Sequence, residues 1–204
     1  MAAGRSFGRL KPDTACLFVC DIQERFRSVI KGMPAVIDSS QRLVKAFQAL
    51  EIPILVSEQY PKALGSTVDE IKSLLPDKNC IFEKTKFSMC IQELEAQLQK
   101  QPDRKQVVLV GIEAHVCVTQ TALELLEGGY EVHVVTDAVS SSRLGDRATA
   151  IQRMMQSGAF AVTSEMVMFQ LCGGAKHPAF KTISTLAKEQ RPDMLPAASD
   201  ASKL

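Results

Sequence analysis

Six short apolar runs recur along the chain, and amphipathic stretches lie between most of them. The runs around Leu17 and Val108 are apolar at successive positions, as expected of strands that are covered on both faces. Strands joined by helices predict right-handed crossovers, and therefore a parallel sheet with helices on both faces. The runs occupy residues 15–20, 54–57, 80–82, 107–110, 132–135 and 160–163.

The stretches between the runs carry apolar residues at helical spacing. The predicted fold class is α/β: a Rossmann-like, three-layer α/β/α sandwich around a doubly wound, six-stranded, mainly parallel sheet. The 204 residues suit one such domain, which we place at residues 11–190, followed by a flexible tail at residues 191–204. The helical patterns comprise residues 36–50, 94–98, 118–126 and 151–155.

The composition argues against large charged or membrane partners. The chain has 24 basic and 23 acidic residues, which gives no electrostatic reason to bind nucleic acid or a membrane surface. Aromatic residues make up only 5% and Trp is lacking, so a base-stacking surface is not expected. No apolar run approaches the length of about 18 residues that a membrane span needs. The six scattered cysteines form no C-x-x-C pair, which predicts reduced thiols inside a cell.

The last three residues, Ser202, Lys203 and Leu204, match the peroxisomal address that an import receptor reads. The stretch before them is rich in Pro, Ala, Ser and Asp, which is typical of a tail that a receptor can grasp. The sequence therefore predicts a peroxisome-type location with that receptor as a partner, and the cytoplasm as the alternative.

Candidate functional residues follow the ends of the predicted strands, where doubly wound sheets bind their ligands. Asp21 follows the first strand, Gln59 the second, Lys84 the third, and Cys117 opens the helix after the fourth. Each has an ordinary structural reading: the carboxylate as a cap, the lysine as a solvated side chain, the cysteine as a small core residue. Their predicted convergence on one edge of the sheet favours a functional site.

Cys117 is suited to nucleophilic chemistry. A thiol at a helix N-terminus faces unpaired N–H groups and the positive end of the helix dipole, which favours the thiolate. An ammonium at Lys84 would add to this effect, and Asp21 could accept the thiol proton and later activate water. The same helix start offers backbone donors for an oxyanion.

Three motifs resemble those of the isochorismatase-like cysteine hydrolases, a family that includes nicotinamidases, N-carbamoylsarcosine amidases and isochorismatases. They are Leu17-Phe-Val-Cys-Asp21-Ile-Gln, Glu83-Lys84-Thr-Lys-Phe-Ser88 and Gly111-Ile-Glu-Ala-His-Val-Cys117-Val, in the family's order. The resemblance runs from about residue 13 to about residue 190. The segment Glu58-Gln59-Tyr60-Pro61 and the Lys-Thr-x-Phe-Ser-Met block narrow it to one subgroup.

The resemblance implies the family's hydrolase fold and an Asp-Lys-Cys triad at Asp21, Lys84 and Cys117, with Lys84 preferred over Lys86. It also implies a cis peptide between Ile112 and Glu113, which would aim the N–H groups of Glu113 and Cys117 at an oxyanion. Family members form dimers, tetramers or larger rings, so a homo-oligomer is expected. The substrate pocket that we predict by position is lined by Phe26, Gln59, Phe87 and Ile112.

This sequence departs from the family's pattern at the positions where a metal would bind. Metal-binding members carry Asp-x-His and another histidine after the second strand, whereas this chain has Ser57-Glu58-Gln59 there. Its three histidines, His115, His133 and His177, all come later in the chain. We therefore predict neither a metal nor another cofactor.

Three functions remain open at this point. The first is hydrolysis of an amide-like C–N bond in a small molecule through a thioester on Cys117. The second is cleavage of a vinyl ether, which proceeds by proton transfer and needs no thiolate. The third is a binding or scaffold protein that keeps the site without turnover. A nucleotide-binding domain is set aside, because residues 21–25 contain no glycine-rich turn.

Overall fold

The computed structural model describes residues 6–75 and 80–192. All neighbouring strands in this part of the chain run parallel, in the order β3-β2-β1-β4-β5-β6. This confirms the predicted α/β class, with a sheet that is parallel throughout. The strands are β1 Ala15–Cys20, β2 Ile54–Gln59, β3 Ile81–Lys84, β4 Gln106–Gly111, β5 Glu131–Val139 and β6 Phe160–Val162.

Helices cover both faces of the sheet because alternate strand residues bury their side chains on opposite sides. Leu17 and Val19 of β1 belong to a core beneath α1, α3, α7 and α8. Cys16, Phe18 and Cys20 belong to a second core beneath α4, α5 and α6. The helices are α1 Met33–Ala49, α2 Pro61–Leu64, α3 Asp69–Lys72, α4 Gln92–Gln99, α5 Thr119–Glu127, α6 Leu144–Gln156, α7 Ser164–Cys172 and α8 Phe180–Lys188.

The strand order reverses direction between β1 and β4, which are neighbours in the centre of the sheet. The segments that follow β1 and β4 leave toward opposite faces of the sheet, so a crevice opens beyond the carboxyl ends of these two strands. Asp21 follows β1 directly, and a π-helical turn at Ala114–Val118 follows β4 and continues into α5. The topology thus brings Asp21 and Cys117 to the same crevice.

The structure differs from the sequence-based expectation in two respects. β5 extends to Val139 because its pairing with β4 shifts between Leu109 and Gly111, so that extra residues of β5 bulge outward. The polar Asp137 lies in this bulge, where it accepts hydrogen bonds from the N–H and hydroxyl of Ser164 at 2.7 and 2.5 Å. α2, α3, α7 and α8 lie outside the four helical patterns given above, and α8 packs Ile183 and Leu186 into the core.

Several predictions concern parts of the protein that the structure does not test. No helix within the described ranges is long and apolar enough to cross a bilayer. Residues 193–204 lie outside the described residues, so the tail and the peroxisomal signal at Ser202 to Leu204 stay predictions. The homo-oligomer also stays a prediction. On α7, Met168 and Leu171 are buried in the protein, whereas Met166 and Phe169 are exposed on its surface.

We expect Gly111→Ala to lower the free energy of unfolding by more than about 3 kcal/mol. A Cβ at Gly111 would lie 2.0 Å from the carbonyl oxygen of Cys20, and the backbone there has φ +124°. Gly129→Ala is the matched control, because Gly129 also has a positive φ but nothing within 4 Å of the added Cβ. Urea unfolding of both variants measures the contact, and equal losses would contradict it.

Candidate functional site

A buried ion pair joins the ends of two strands. Lys84, the last residue of β3, donates from Nζ to Oδ2 of Asp21 at 2.7 Å, and both side chains are almost wholly shielded from solvent. β2 lies between β1 and β3, so the lysine side chain reaches past the end of β2 to make this contact. Two of the three predicted triad residues therefore meet directly.

Lys84 is surrounded by oxygen acceptors. Besides Asp21, its Nζ lies 2.7 Å from Oε1 of Gln59, 2.8 Å from the carbonyl of Phe87 and 3.2 Å from that of Lys86. An ammonium has three hydrogens, so these acceptors engage all of them. Burial alone would lower the pKa of Lys84, but the pKa is raised, because the neighbouring negative charge and the hydrogen bond to Asp21 favour the ammonium. Lys84 is therefore a fixed positive charge.

Asp21 is held from two sides. Its Oδ2 accepts from Lys84, and its Oδ1 accepts from the hydroxyl of Ser57 at 2.7 Å. The backbone N–H of Asp21 also donates to the carbonyl of Ser57 at 3.2 Å. Asp21 has φ +51°, a left-handed conformation that Asp tolerates better than most residues and that often occurs at functional sites. The carboxylate orientation is thus set by neighbours on β2 and β3.

Cys117 lies in the π-helical turn Ala114–Val118 instead of at the first residue of a regular helix. The carbonyl of Glu113 accepts hydrogen bonds from the N–H groups of Val116 and Val118 but not from that of Cys117. Among the described residues, the N–H of Glu113 has no hydrogen-bond acceptor. The Ile112–Glu113 peptide is cis, as the resemblance implied. The N–H of Glu113, one of the two groups expected to bind an oxyanion, is thus not used by the backbone turn that follows it.

Cys20 is a fourth member of the site that the sequence patterns did not predict. Burial first, then a hydrogen bond with the Cys117 thiol and the charge of Asp21, raise the pKa of Cys20 well above its ordinary value. Cys20 therefore stays a neutral thiol in contact with Cys117. The sequence feature that could have identified Cys20 is the alternation of side chains along β1, which places it on the same side of the sheet as α5.

Thr121 ties the cysteine turn to the loop that follows Lys84. Its hydroxyl donates to the carbonyl of Cys117 at 2.7 Å and accepts from the N–H of Met89 at 2.9 Å. Thr121 is fully buried, so both bonds are shielded from water. This bridge was also not predicted; its only signal is a hydroxyl one helical turn after the cysteine.

The predicted pocket residues have different surroundings. Gln59 was expected to donate to substrate, but its Oε1 accepts from Lys84 and its Nε2 donates to the carbonyl of Thr85 at 3.0 Å. Phe87 is half-exposed near the lysine, and Phe26 is partly buried against the core. Ile112 was also predicted to line the pocket; its side chain is fully buried in the core beneath α1, whereas Cys117 belongs to the core on the other face of the sheet.

The three histidines have structural partners. His115 Nδ1 lies 2.9 Å from the Ser141 hydroxyl, and His133 Nε2 lies 2.9 Å from the carboxylate of Glu131. His177 Nδ1 accepts from the N–H of Ala179 just before α8. Within residues 6–75 and 80–192, no three or more His, Cys, Asp or Glu side chains are grouped so that they could hold a metal ion.

Comparison with known proteins identifies the relatives of this chain. The isochorismatase domain model matches residues 15–166. Human isochorismatase domain-containing protein 2 is 45% identical, and the match covers 95% of this chain and 93% of that protein. Its Xenopus laevis counterpart is also 45% identical, and the match covers 95% of this chain and 93% of that protein. This is the subgroup that the segment at residues 58–61 indicated.

A solved structure shares the fold over nearly its whole length. It is described as MAR1 ribonuclease from Caenorhabditis elegans, is 48% identical and superposes with a TM-score of 0.86. The match covers 93% of this chain and 98% of the worm protein. The sheet and helices described above therefore represent the fold of this group of proteins.

We expect Lys84→Met to lower the free energy of unfolding by about 3–5 kcal/mol, because it leaves the Asp21 carboxylate buried and unpaired. Lys86→Met is the matched control: Lys86 pairs with Glu124 at 2.5 Å on the surface, so its loss should cost about 1 kcal/mol or less.

The pH dependence of this difference follows from the raised pKa of Lys84. A raised lysine pKa gives stability that is complete below the value in the unfolded chain and is lost only as the pH rises through the higher folded value. The Lys84→Met deficit should therefore stay constant in urea unfolding from about pH 7 to about pH 9. A deficit that shrinks over this range would contradict the assignment of a fixed ammonium.

Proposed function

The chain belongs to the isochorismatase family, and from that premise we propose that it hydrolyses an amide-like C–N bond in a small molecule through Cys117. The observation that carries the proposal is the buried Asp21–Lys84 ion pair at the switch point of the sheet, where the turn that carries Cys117 follows β4. Asp21 serves as the base, Lys84 as the fixed positive charge and Cys117 as the nucleophile. The reaction needs no metal.

In the first half of the reaction, Asp21 takes the proton of the Cys117 thiol and Sγ attacks the substrate carbonyl carbon. A C–S bond forms, and the carbonyl π electrons move onto the oxygen. The backbone N–H groups of Glu113 and Cys117 are the proposed donors to this oxyanion. Support for that role comes from the N–H of Glu113, which has no other acceptor in the described part of the chain.

In the second half, the oxyanion collapses and the C–N bond breaks. The departing amine takes the proton that Asp21 gained, which leaves a thioester on Cys117 and returns Asp21 to its charged form. Asp21 then accepts a proton from water, whose oxygen attacks the thioester carbon. The C–S bond breaks, the acid product leaves, and the proton returns from Asp21 to the thiol.

Lys84 contributes charge without exchanging a proton. Its pKa is raised and its hydrogens are engaged by Asp21, Gln59 and backbone carbonyls. A buried ammonium lowers the free energy of negative charge on its neighbours, whether that charge is on the Asp21 carboxylate or on the Cys117 sulfur. The proton can therefore move between these two residues at a smaller cost.

Two other functions are tested alongside this one. Vinyl ether cleavage would use Asp21 as a proton donor and acceptor and leave Cys117 without a covalent role. RNA cleavage is the second, because the 48% identical worm relative is described as a ribonuclease. Against RNA, the proposed nucleophile is only 7% exposed and the net charge is +1, which provides little attraction for phosphates.

We expect iodoacetamide to alkylate Cys117 at least about tenfold faster than Cys90 near neutral pH, by peptide-resolved mass spectrometry. Cys90 is a matched internal control, because both cysteines are 7% exposed while burial raises the pKa of Cys90 to about 11. Asp21→Asn should remove most of the Cys117 advantage, since an amide cannot accept the thiol proton. Equal rates for the two cysteines in the wild-type protein would rule out an activated nucleophile.

A turnover screen distinguishes the three chemistries. We expect hydrolysis within a panel of small carboxamides and ureides, with loss of nearly all activity in both Cys117→Ala and Asp21→Asn. Activity on a vinyl ether that survives Cys117→Ala but not Asp21→Asn would support the isochorismatase-type reaction instead. Cleavage of an RNA oligonucleotide in the same screen would support the ribonuclease, and no turnover by a protein with an activated Cys117 would support a silent binding role.

A further inference from the structure

The second strand anchors both members of the buried ion pair. Ser57 and Gln59 are two residues apart on β2, so their side chains point to the same side of the sheet. Ser57 donates to Oδ1 of Asp21 at 2.7 Å, and Gln59 accepts from Nζ of Lys84 at 2.7 Å. One strand therefore controls the position of the carboxylate and of the ammonium.

Ser57 holds Asp21 through its backbone as well as through its hydroxyl. β1 and β2 pair Cys20 with Ser57, and the next N–H along β1, that of Asp21, donates to the Ser57 carbonyl at 3.2 Å. Ser57 is fully buried. Hence the hydroxyl has a fixed place relative to the carboxylate and no competing water.

Ser57 and Lys84 each bind a different oxygen of the Asp21 carboxylate. Because Ser57 binds Oδ1 and Lys84 binds Oδ2, the carboxylate cannot rotate without breaking one of these bonds. A carboxylate oxygen can accept a further hydrogen bond, so a lone pair is left to receive the proton of Cys117. The titratable groups around Asp21 are Lys84 on β3, Cys20 on β1 and Cys117 in the π-helical turn.

We infer that Ser57 is a positioning residue for the proposed reaction: its hydroxyl orients the Asp21 carboxylate so that it can accept the proton of Cys117. This inference rests on the proposed function, since it requires Cys117 to be the nucleophile. A hydrogen bond donated to the charged form of an acid favours that form. Removal of the hydroxyl should therefore make Asp21 a poorer acceptor for the proton of Cys117 and change the pH dependence of Cys117 reactivity.

The test is the pH profile of Cys117 alkylation by iodoacetamide, measured per peptide from about pH 5 to about pH 9. In Ser57→Ala, the acid limb of the profile should move to higher pH by about one unit, the size expected for one hydrogen bond to a buried charge. The rate should approach that of the wild-type protein at the alkaline end. Ser57→Thr keeps the hydroxyl and should restore the wild-type limb.

Two further variants separate this role from a general loss of structure. Ser40→Ala also removes a buried hydroxyl, but the hydroxyl of Ser40 lies in α1 and has no hydrogen-bond partner within the described part of the chain, so its profile should match the wild type. Ser57→Val has the shape of threonine without the hydroxyl and should reproduce the shift of Ser57→Ala. Ser57→Thr and Ser57→Val thus form a second matched pair, with and without the hydroxyl, which keeps the test valid if Ser57→Ala does not fold.

The outcomes distinguish the inference from the function on which it rests. If wild-type Cys117 reacts no faster than Cys90, the proposed function fails and the inference falls with it. If wild-type Cys117 is activated but the Ser57→Ala and Ser57→Val profiles overlay the wild type, only the inference is overturned. The same holds if both variants lose the same factor at every pH and Ser57→Thr restores nothing, because that pattern describes a structural residue alone.

Discussion

The buried ion pair between Asp21 and Lys84 is the contact on which the arrangement of the site depends. Removing two charges from water costs several kcal/mol for each ion, which their mutual attraction offsets only when further hydrogen bonds satisfy the remaining donors and acceptors. The structure supplies these bonds from Ser57, Gln59 and the carbonyl of Phe87. The ends of β1, β2 and β3 are therefore fixed relative to one another by the requirements of one pair of charges.

The topology of the sheet brings the cysteine to that pair. β1 and β4 are neighbours at the point where the strand order reverses, and Cys20 pairs with Gly111 at their carboxyl ends. Because the Gly111 backbone approaches the Cys20 carbonyl so closely, the turn that carries Cys117 begins directly beside Asp21. Thr121 then links this turn to the loop after Lys84. The three residues are distant in the chain but lie on adjoining segments of one crevice.

The fold and the residues of the pair follow from the sequence because both rest on local patterns. Apolar runs fix the strands, and the residues after them must meet at one edge of a parallel sheet. The roles of Ser57, Gln59, Cys20 and Thr121 could not be derived in this way, since each depends on which side-chain atoms approach within hydrogen-bond distance. Ile112 was assigned to the pocket from its place next to the nucleophile loop, but the chain turns its side chain toward the opposite core. The bulge in β5 could not be recognised from the sequence, because the polar Asp137 interrupts the apolar run that marks the strand.

The central claim is that this crevice makes a covalent bond to its substrate through Cys117. The most direct measurement is the intact mass of the protein after acid quenching during turnover of the carboxamide it hydrolyses, followed by peptide mapping. The account predicts an added acyl mass on Cys117 that hydroxylamine removes and that is lacking in Cys117→Ala. Turnover that proceeds with no adduct on Cys117, and at an undiminished rate in Cys117→Ala, would contradict it.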